Sequence, residues 1–160
     1  MNRQIRVGLG FDVHPFSDDP ARPLLLAGVV VEGERGLVGH SDADVVAHAV
    51  ADALLGAAGL GDLGEHFPDT DPKWRGADSV NLLAAVVSKI EDAGWLPVNV
   101  DVSVVVEAPK LAPYRARMQD RLGAAVGADV TVKAKRAEGL GALGRGEGIA
   151  CWAVALIEHR

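Results

Sequence analysis

The amino-acid sequence predicts an α+β fold: a mixed β-sheet with helices packed mainly on one face, in a single domain covering 1–160. Two observations carry this reading. Stretches with a two-residue apolar period interleave with stretches of helical period along the chain. In addition, 160 residues, 49% of them hydrophobic, suit one domain whose core needs neither a disulfide nor a structural metal. The chain has no internal repeat and no low-complexity segment.

The elements follow in order. Ile5 to His14 alternates apolar and other residues, as a strand does, and Pro15 ends it. Residues 24–31 read as strand material that leaves through the turn at Glu32 to Gly36. From Ser41 the period becomes helical, with Val45, Val46, Ala49, Val50, Ala53 and Leu54 on one stripe. Ser41 followed by Asp44 reads as a capping-box variant, and the helix closes within Gly56 to Gly61. Residues 62–78, rich in Asp, Gly and Pro, form a long loop of the kind that carries function. A second helix starts near Ser79 and stops at Gly94. Val98, Val100, Val102, Val104 and Val106 then mark the clearest strand. A helix opened by Pro113 reaches about Val126, and Val130 to Lys135 alternates again. Gly148 to Ile157 is an almost unbroken apolar run and is expected to be buried on both faces.

Composition narrows the function. A formal net charge of −6 repels polyanions, so nucleic acid is not an expected partner. A phosphorylated ligand would need metal ions or local cations to offset that field. Cys151 is the sole cysteine, reads as a small buried hydrophobe and excludes an intrachain disulfide. The segment from Met1 to Phe11 lacks the apolar middle of a signal peptide, and no run suits a bilayer span. Cytoplasmic residence with no membrane partner is therefore the expectation.

Asp12 and His14, two apart on a strand, project from the same face and can converge on one ion. His40, Asp44 and His48 recur at intervals of four, on one face of the helix start. One carboxylate and two imidazoles suit Zn²⁺, and three protein ligands leave a fourth position open for catalysis. Spacing alone leaves open whether His40 or His48 completes the set. Asp42, Asp44 and Asp52 read as acids that complement a helix dipole or lie exposed, and are not assigned catalysis. The glycines at 139, 141, 144, 146 and 148 lie between strands and suit tight turning rather than dinucleotide binding.

Several segments together are recognisable. Gly10-Phe11-Asp12-Val13-His14, the run from Gly39-His40-Ser41 to His48, Asp62-Leu63-Gly64, and Phe67-Pro68-Asp69-Thr70-Asp71-Pro72 resemble the 2-C-methyl-D-erythritol 2,4-cyclodiphosphate synthase family in order and spacing. The match continues through Ala108-Pro109-Lys110 and Gly144-Arg145-Gly146-Glu147-Gly148, and so covers essentially the whole chain. The resemblance implies a homotrimeric lyase with active sites between subunits, acting on a small cytidine diphosphate substrate. It closes 4-diphosphocytidyl-2-C-methyl-D-erythritol 2-phosphate to the 2,4-cyclodiphosphate, releases CMP, and serves non-mevalonate isoprenoid synthesis.

By the same resemblance, Asp12, His14 and His48 hold Zn²⁺, and Asp12, Val13 and His14 border the substrate. His40 and Ser41 contact the phosphates, with His40 stabilising the transition state. Asp62 and Gly64, with Leu63 between them, receive the ribose. Phe67, Pro68, Asp69, Thr70 and Asp71 close over the erythritol. Val106, Glu107, Ala108, Pro109, Lys110, Leu111 and Ala112 hold the cytosine, chiefly through backbone groups. Glu138 binds a second ion, Mg²⁺ or Mn²⁺, bridging the diphosphate. Lys135, Arg136, Ala137, Ala142 and Arg145 complete the substrate site, and the centre of the trimer admits an isoprenoid diphosphate.

The chain departs from the family pattern at Lys135-Arg136-Ala137, where hydroxyl-bearing threonines are familiar, and at Ala142, where a larger apolar residue is common. Arg136 is expected to supply the missing phosphate contact by charge-assisted hydrogen bonding. Two rival readings are a non-catalytic cytidine-nucleotide or metal-binding relative and a zinc phosphoesterase that hydrolyses with water.

Overall fold

The computed structural model describes residues 4–160; the first three residues of the expected leaderless start and of the 1–160 domain lie outside the described residues. Among the described residues, six strands and five α-helices follow in the order β1 (Ile5–Pro15), β2 (Leu24–Leu26), β3 (Val29–Val31), α1 (Val45–Ala58), α2 (Leu63–His66), α3 (Ser79–Asp92), β4 (Trp95–Val105), α4 (Arg115–Val126), β5 (Asp129–Lys135), α5 (Gly141–Gly144) and β6 (Gly148–His159). The main sheet has the order β1-β6-β4-β5. Only β4 and β5 run parallel, so the sheet is mixed as predicted. Helix α1 lies on β1 and β6, α3 on β4 and α1, and α4 on β5 and α3. The helices thus share one face of the sheet, and a single apolar cluster, with Leu54, Leu83, Met118, Leu122, Ile149 and Ile157 fully buried, fills the layer between.

That layer is thinnest where β1 meets α1. Gly8 and Gly10 face the helix, and a Cβ on either would lie 1.9 Å from a helix carbonyl, that of Ala53 or of Ala49. The partners of these glycines across the ladder, Ala155 and Ala153, are also small. Glycine is needed here because backbone, not a flexible side chain, occupies the space a methyl group would take.

Strand falls within 24–31 as expected, and several other expectations are corrected. The run at 24–31 is two strands joined at Ala27 and Gly28, whose φ values of 55° and 70° make the two-residue turn favoured in hairpins. Helix α1 starts later than the Ser41 capping box implied. Asp44 is its N-cap, accepting from Val46 N and Ala47 N, and its carboxylate also takes Ala27 N at 2.8 Å and Gly28 N at 2.6 Å. One buried acid therefore starts the helix and holds the hairpin turn. The 62–78 loop contains α2 and a 3₁₀ turn at Pro72–Trp74, each opened by an aspartate cap. The glycine-rich stretch before β6 likewise holds the short α5.

A further correction concerns β6: Gly148 to Cys151 are buried on both faces as expected, but from Trp152 onward only one face is buried. Trp152 and Val154 lie on the open side with Ile5, Val7, Leu9, Phe11 and Val13 of β1. Leu9 is 68% exposed and Val7 65%, and Phe11 and Trp152 pack ring to ring at 5.0 Å. Strand β4 alternates as predicted from Val100 to Val104, but Val98 is exposed because the register shifts between Pro97 and Asn99.

Gly10→Ala is expected to destabilise the fold by about 1–3 kcal/mol, the usual cost of overpacking. Urea unfolding would show this as a lower midpoint with an unchanged slope.

Candidate metal centre and substrate clefts

The side of β1 that carries Gly8 and Gly10 also carries Asp12 and His14, one ladder step apart. Because α1 lies so close to that side, its first turn brings His48 over the same point. Asp12 Oδ2 is 2.9 Å from His14 Nε2 and 2.9 Å from His48 Nδ1. One ligand atom from each of the three residues falls within 4.8 Å of the others, and all three are half-buried. The group can hold a metal ion.

His14 donates its outer Nδ1–H to the Val38 carbonyl at 2.7 Å, so Nε2 is the nitrogen directed inward, free to ligate an ion once its proton is displaced. The outer nitrogen of His48, Nε2, meets the hydroxyls of Ser79 at 2.8 Å and Ser41 at 3.1 Å. An anchored donor set of one carboxylate and two imidazoles fits a borderline-soft dication such as Zn²⁺. Burial opposes the charge on Asp12, yet hydrogen bonds to His14 and His48 hold its carboxyl down at about 2, against an ordinary 3.8. Burial likewise disfavours protonated His14, but Asp12 raises it above the ordinary 6.5. The cluster attracts a cation.

The question that spacing left open is resolved by the start of α1. His40 precedes the helix rather than sharing its face, and its Nε2 donates to the Asp71 carbonyl at 3.1 Å. It stands with the 67–71 segment, outside the three-residue group. Ser41 is buried, and its hydroxyl takes Ala43 N instead of opening a helix.

Asp12, His14 and His48 form one wall of an open cleft of about 440 Å³. Asp62, Leu63, Gly64, Phe67, Pro68 and Asp69 form the other, so the sequence-predicted ribose and erythritol residues lie opposite the metal group. Val13 points to the open face of the sheet, and Thr70 is exposed beside the cleft. Asp52 also lines the cleft. It is not the exposed mid-helix acid of the sequence reading: it is half-buried, accepts Leu63 N at 2.8 Å, and burial raises its pKa.

The remaining predicted residues gather elsewhere. Val106 through Ala112, with Arg115, Ala134, Lys135 and Arg136, line a second cleft of about 350 Å³ that shares no wall with the first. Glu107 ties its two sides together, accepting from Arg136 at 2.5 Å and from Ala137 N at 3.0 Å. That bond to Arg136 holds the Glu107 carboxyl below the usual range. Glu138 and Ala142 are exposed near the start and within α5, and Arg145 pairs with Glu147 at 2.8 Å. Within one chain, therefore, Arg136, Glu138 and Arg145 are not brought to the Asp12 group. Val38 and Ser79, which grip the two histidines from outside, escaped the sequence reading. A backbone carbonyl carries no residue signal, and Ser79 looked like an ordinary helix start.

The sequence matches the YgbB family over residues 5–158. It is 54% identical over 157 residues to the 2-C-methyl-D-erythritol 2,4-cyclodiphosphate synthase of Symbiobacterium thermophilum, a match covering 96% of this chain and 99% of that one. The structure of the bifunctional IspDF from Campylobacter jejuni is similar with a TM-score of 0.94 at 41% identity. This match takes in 99% of the present chain but only 43% of that longer protein. A CDP complex of IspF from Plasmodium falciparum is similar with a TM-score of 0.84 at 29% identity, over 100% of this chain and 99% of that one.

The protonation of the cluster has a definite pH sign. In metal-free protein its contribution to stability is full between the ordinary Asp and His values of 3.8 and 6.5. It is lost as pH falls toward about 2 and as pH rises through the raised His14 value. A zinc ion must displace the His14 proton, so zinc affinity is expected to weaken as pH drops below that raised value, and His48→Ala to abolish tight binding. Chelator-competition titrations between pH 5 and about 8 would check both.

Proposed function

The chain belongs to the YgbB family, that of 2-C-methyl-D-erythritol 2,4-cyclodiphosphate synthase, and we propose how its residues perform the family reaction. It is a lyase of isoprenoid-precursor synthesis. It converts 4-diphosphocytidyl-2-C-methyl-D-erythritol 2-phosphate into the 2,4-cyclodiphosphate and CMP. Relatives matched over nearly their full length carry the synthase name, which disfavours the reading as a non-catalytic binding protein.

The observation that carries the mechanism is the convergence of Asp12, His14 and His48 beside a cleft walled by Asp62, Leu63 and Gly64. The substrate's own 2-phosphate oxygen attacks the β-phosphorus and CMP leaves, so no protein nucleophile takes part. The protein's task is to fold one molecule back on itself and to balance charge. Holding both ends near attack geometry contributes on the order of 7–11 kcal/mol in well-oriented cases. Asp12, His14 and His48 would hold Zn²⁺, and Glu138 Mg²⁺ or Mn²⁺; bound there, the ions would polarise the attacked phosphate and ease departure of CMP. Asp62 and Gly64 orient the ribose, and Phe67 to Asp71 cover the erythritol. His40, tethered to Asp71, and Ser41 meet the phosphates.

Cytosine is assigned to the second cleft, where Val106 to Ala112 present backbone groups and Lys110, Lys135 and Arg136 supply positive charge. The Arg136 pair with Glu107 is solvent-exposed, so the guanidinium is free to exchange that partner for a phosphate. Arg145 completes the phosphate side.

Two separate half-sites in one chain support an active site shared between neighbouring copies, and the open apolar face of β1 and β6 supports a symmetric homotrimer closed around that face. An isoprenoid diphosphate is the ligand assigned to the enclosed centre, and cytoplasmic residence belongs to the same reading.

Incubating purified protein with the substrate, Zn²⁺ and Mg²⁺ is expected to release CMP and a cyclic product. A linear product that has gained water would favour the phosphoesterase instead, and mass spectrometry separates the two. Arg136→Ala is expected to lower kcat by about tenfold or more, the worth of a charge-assisted hydrogen bond; an unchanged kcat removes that role. Light scattering should find a trimer for the wild-type chain and smaller species for Leu9→Asp, with a monomeric wild type refuting the assembly.

A further inference from the structure

Ser79, the first residue of α3, is 1% exposed, and its hydroxyl is engaged on two sides. On one side it donates to Asp42 Oδ1. The Asp42 carboxylate is an acceptor at each of its contacts, taking Ser79 N at 3.0 Å and Asp44 N at 3.2 Å as well. A hydroxyl has one hydrogen. With that hydrogen directed to Asp42, Ser79 Oγ can only accept from His48 Nε2, 2.8 Å away. Nε2 therefore carries a hydrogen, and when a metal ion takes the place of the proton between Nδ1 and Asp12 Oδ2, 2.9 Å apart, Nδ1 is the nitrogen left with a lone pair for it. Ser41 Oγ, at 3.1 Å, is a more distant acceptor for the same N–H and is itself within 3.3 Å of Ser79 Oγ.

Helix capping does not explain this serine. The N-cap of α3 is Asp78, whose carboxylate accepts from Val80 N at 2.9 Å and Asn81 N at 3.1 Å. The hydroxyl of Ser79 is thus left for a different task, and the atom it holds is the outer nitrogen of a candidate metal ligand.

Building on the metal-centre reading above, we propose that Ser79, oriented by Asp42, is a positioning residue of that centre. It locks His48 in the Nε2–H tautomer, so that Nδ1 is the ligand atom, and keeps the ring from turning. His14 is served in the same way by the Val38 carbonyl, so each imidazole is gripped from outside by a group that fixes both its tautomer and its angle.

The test measures zinc affinity by competition with a chromophoric chelator and records long-range ¹⁵N–¹H spectra of the imidazole rings. Wild-type protein is expected to bind zinc with His48 in the Nε2–H form. Ser79→Ala should weaken zinc binding about 10- to 100-fold and lose the single-tautomer pattern of His48. Asp42→Asn, the same shape but with an amide that cannot accept on both atoms, should do likewise; it also decides the matter if Ser79→Ala does not fold. Variants that fold, bind zinc as tightly as wild type and keep the Nε2–H pattern would overturn the proposal alone. A wild-type protein that takes up no zinc would overturn the metal-centre reading, and the role of Ser79 with it.

Discussion

Everything at the candidate site depends on how near α1 lies to β1. Gly8 and Gly10 give up their side chains to a helix whose facing carbonyls, at Ala49 and Ala53, leave no room for a methyl group. The face that makes this contact continues, two residues at a time, into Asp12 and His14. A helix resting on ordinary side chains would stand farther off. His48 would then miss the carboxylate that it now reaches at 2.9 Å. Close packing and ligand geometry are thus one constraint, imposed by alternate residues of a single strand.

Around that contact, acids do structural work that their positions in sequence conceal. Asp44 joins a hairpin turn to the start of α1, Asp62 and Asp71 open the short helical turns that bound the cleft, and Asp42 connects the 41–44 turn to α3. Each satisfies backbone N–H groups that would otherwise lie unpaired at helix starts. The surplus of acids behind the net charge of −6 is therefore partly an inventory of caps. The cations Lys110, Lys135 and Arg136 gather instead around the second cleft.

Much of the fold was legible because it rests on local periodicity. The valines of β4, the stripe of α1 and the alternation of β1 appear where their patterns put them. Failures arose where a few residues set a backbone course that periodicity does not encode. Ala27 and Gly28 turn an apolar stretch into a hairpin whose amides are held by the Asp44 carboxylate, seventeen and sixteen positions later. Val98 left its alternating series at a bulge. The burial of β6 was overestimated because an apolar run in one chain does not reveal whether its second face is covered by helices or by another copy. At the site, Asp12, His14 and His48 were readable from residue type. Choosing His48 over His40 needed the exact first turn of α1, and Val38 and Ser79 needed three-dimensional neighbours.

The strand order β1-β6-β4-β5 has a temporal side. Among the described residues the first strand in chain order pairs with the last, Asp12 standing opposite Cys151 and His14 opposite Ile149. Until β6 is in place, β1 has no neighbour in the sheet, although α1 can already cover its glycine-bearing face. Loop closure across nearly the whole chain makes this a late and slow pairing. The strand that carries Asp12 and His14 is thus fixed in the sheet only by a partner far along the chain, which ties a tight hold on a metal to a late step of folding.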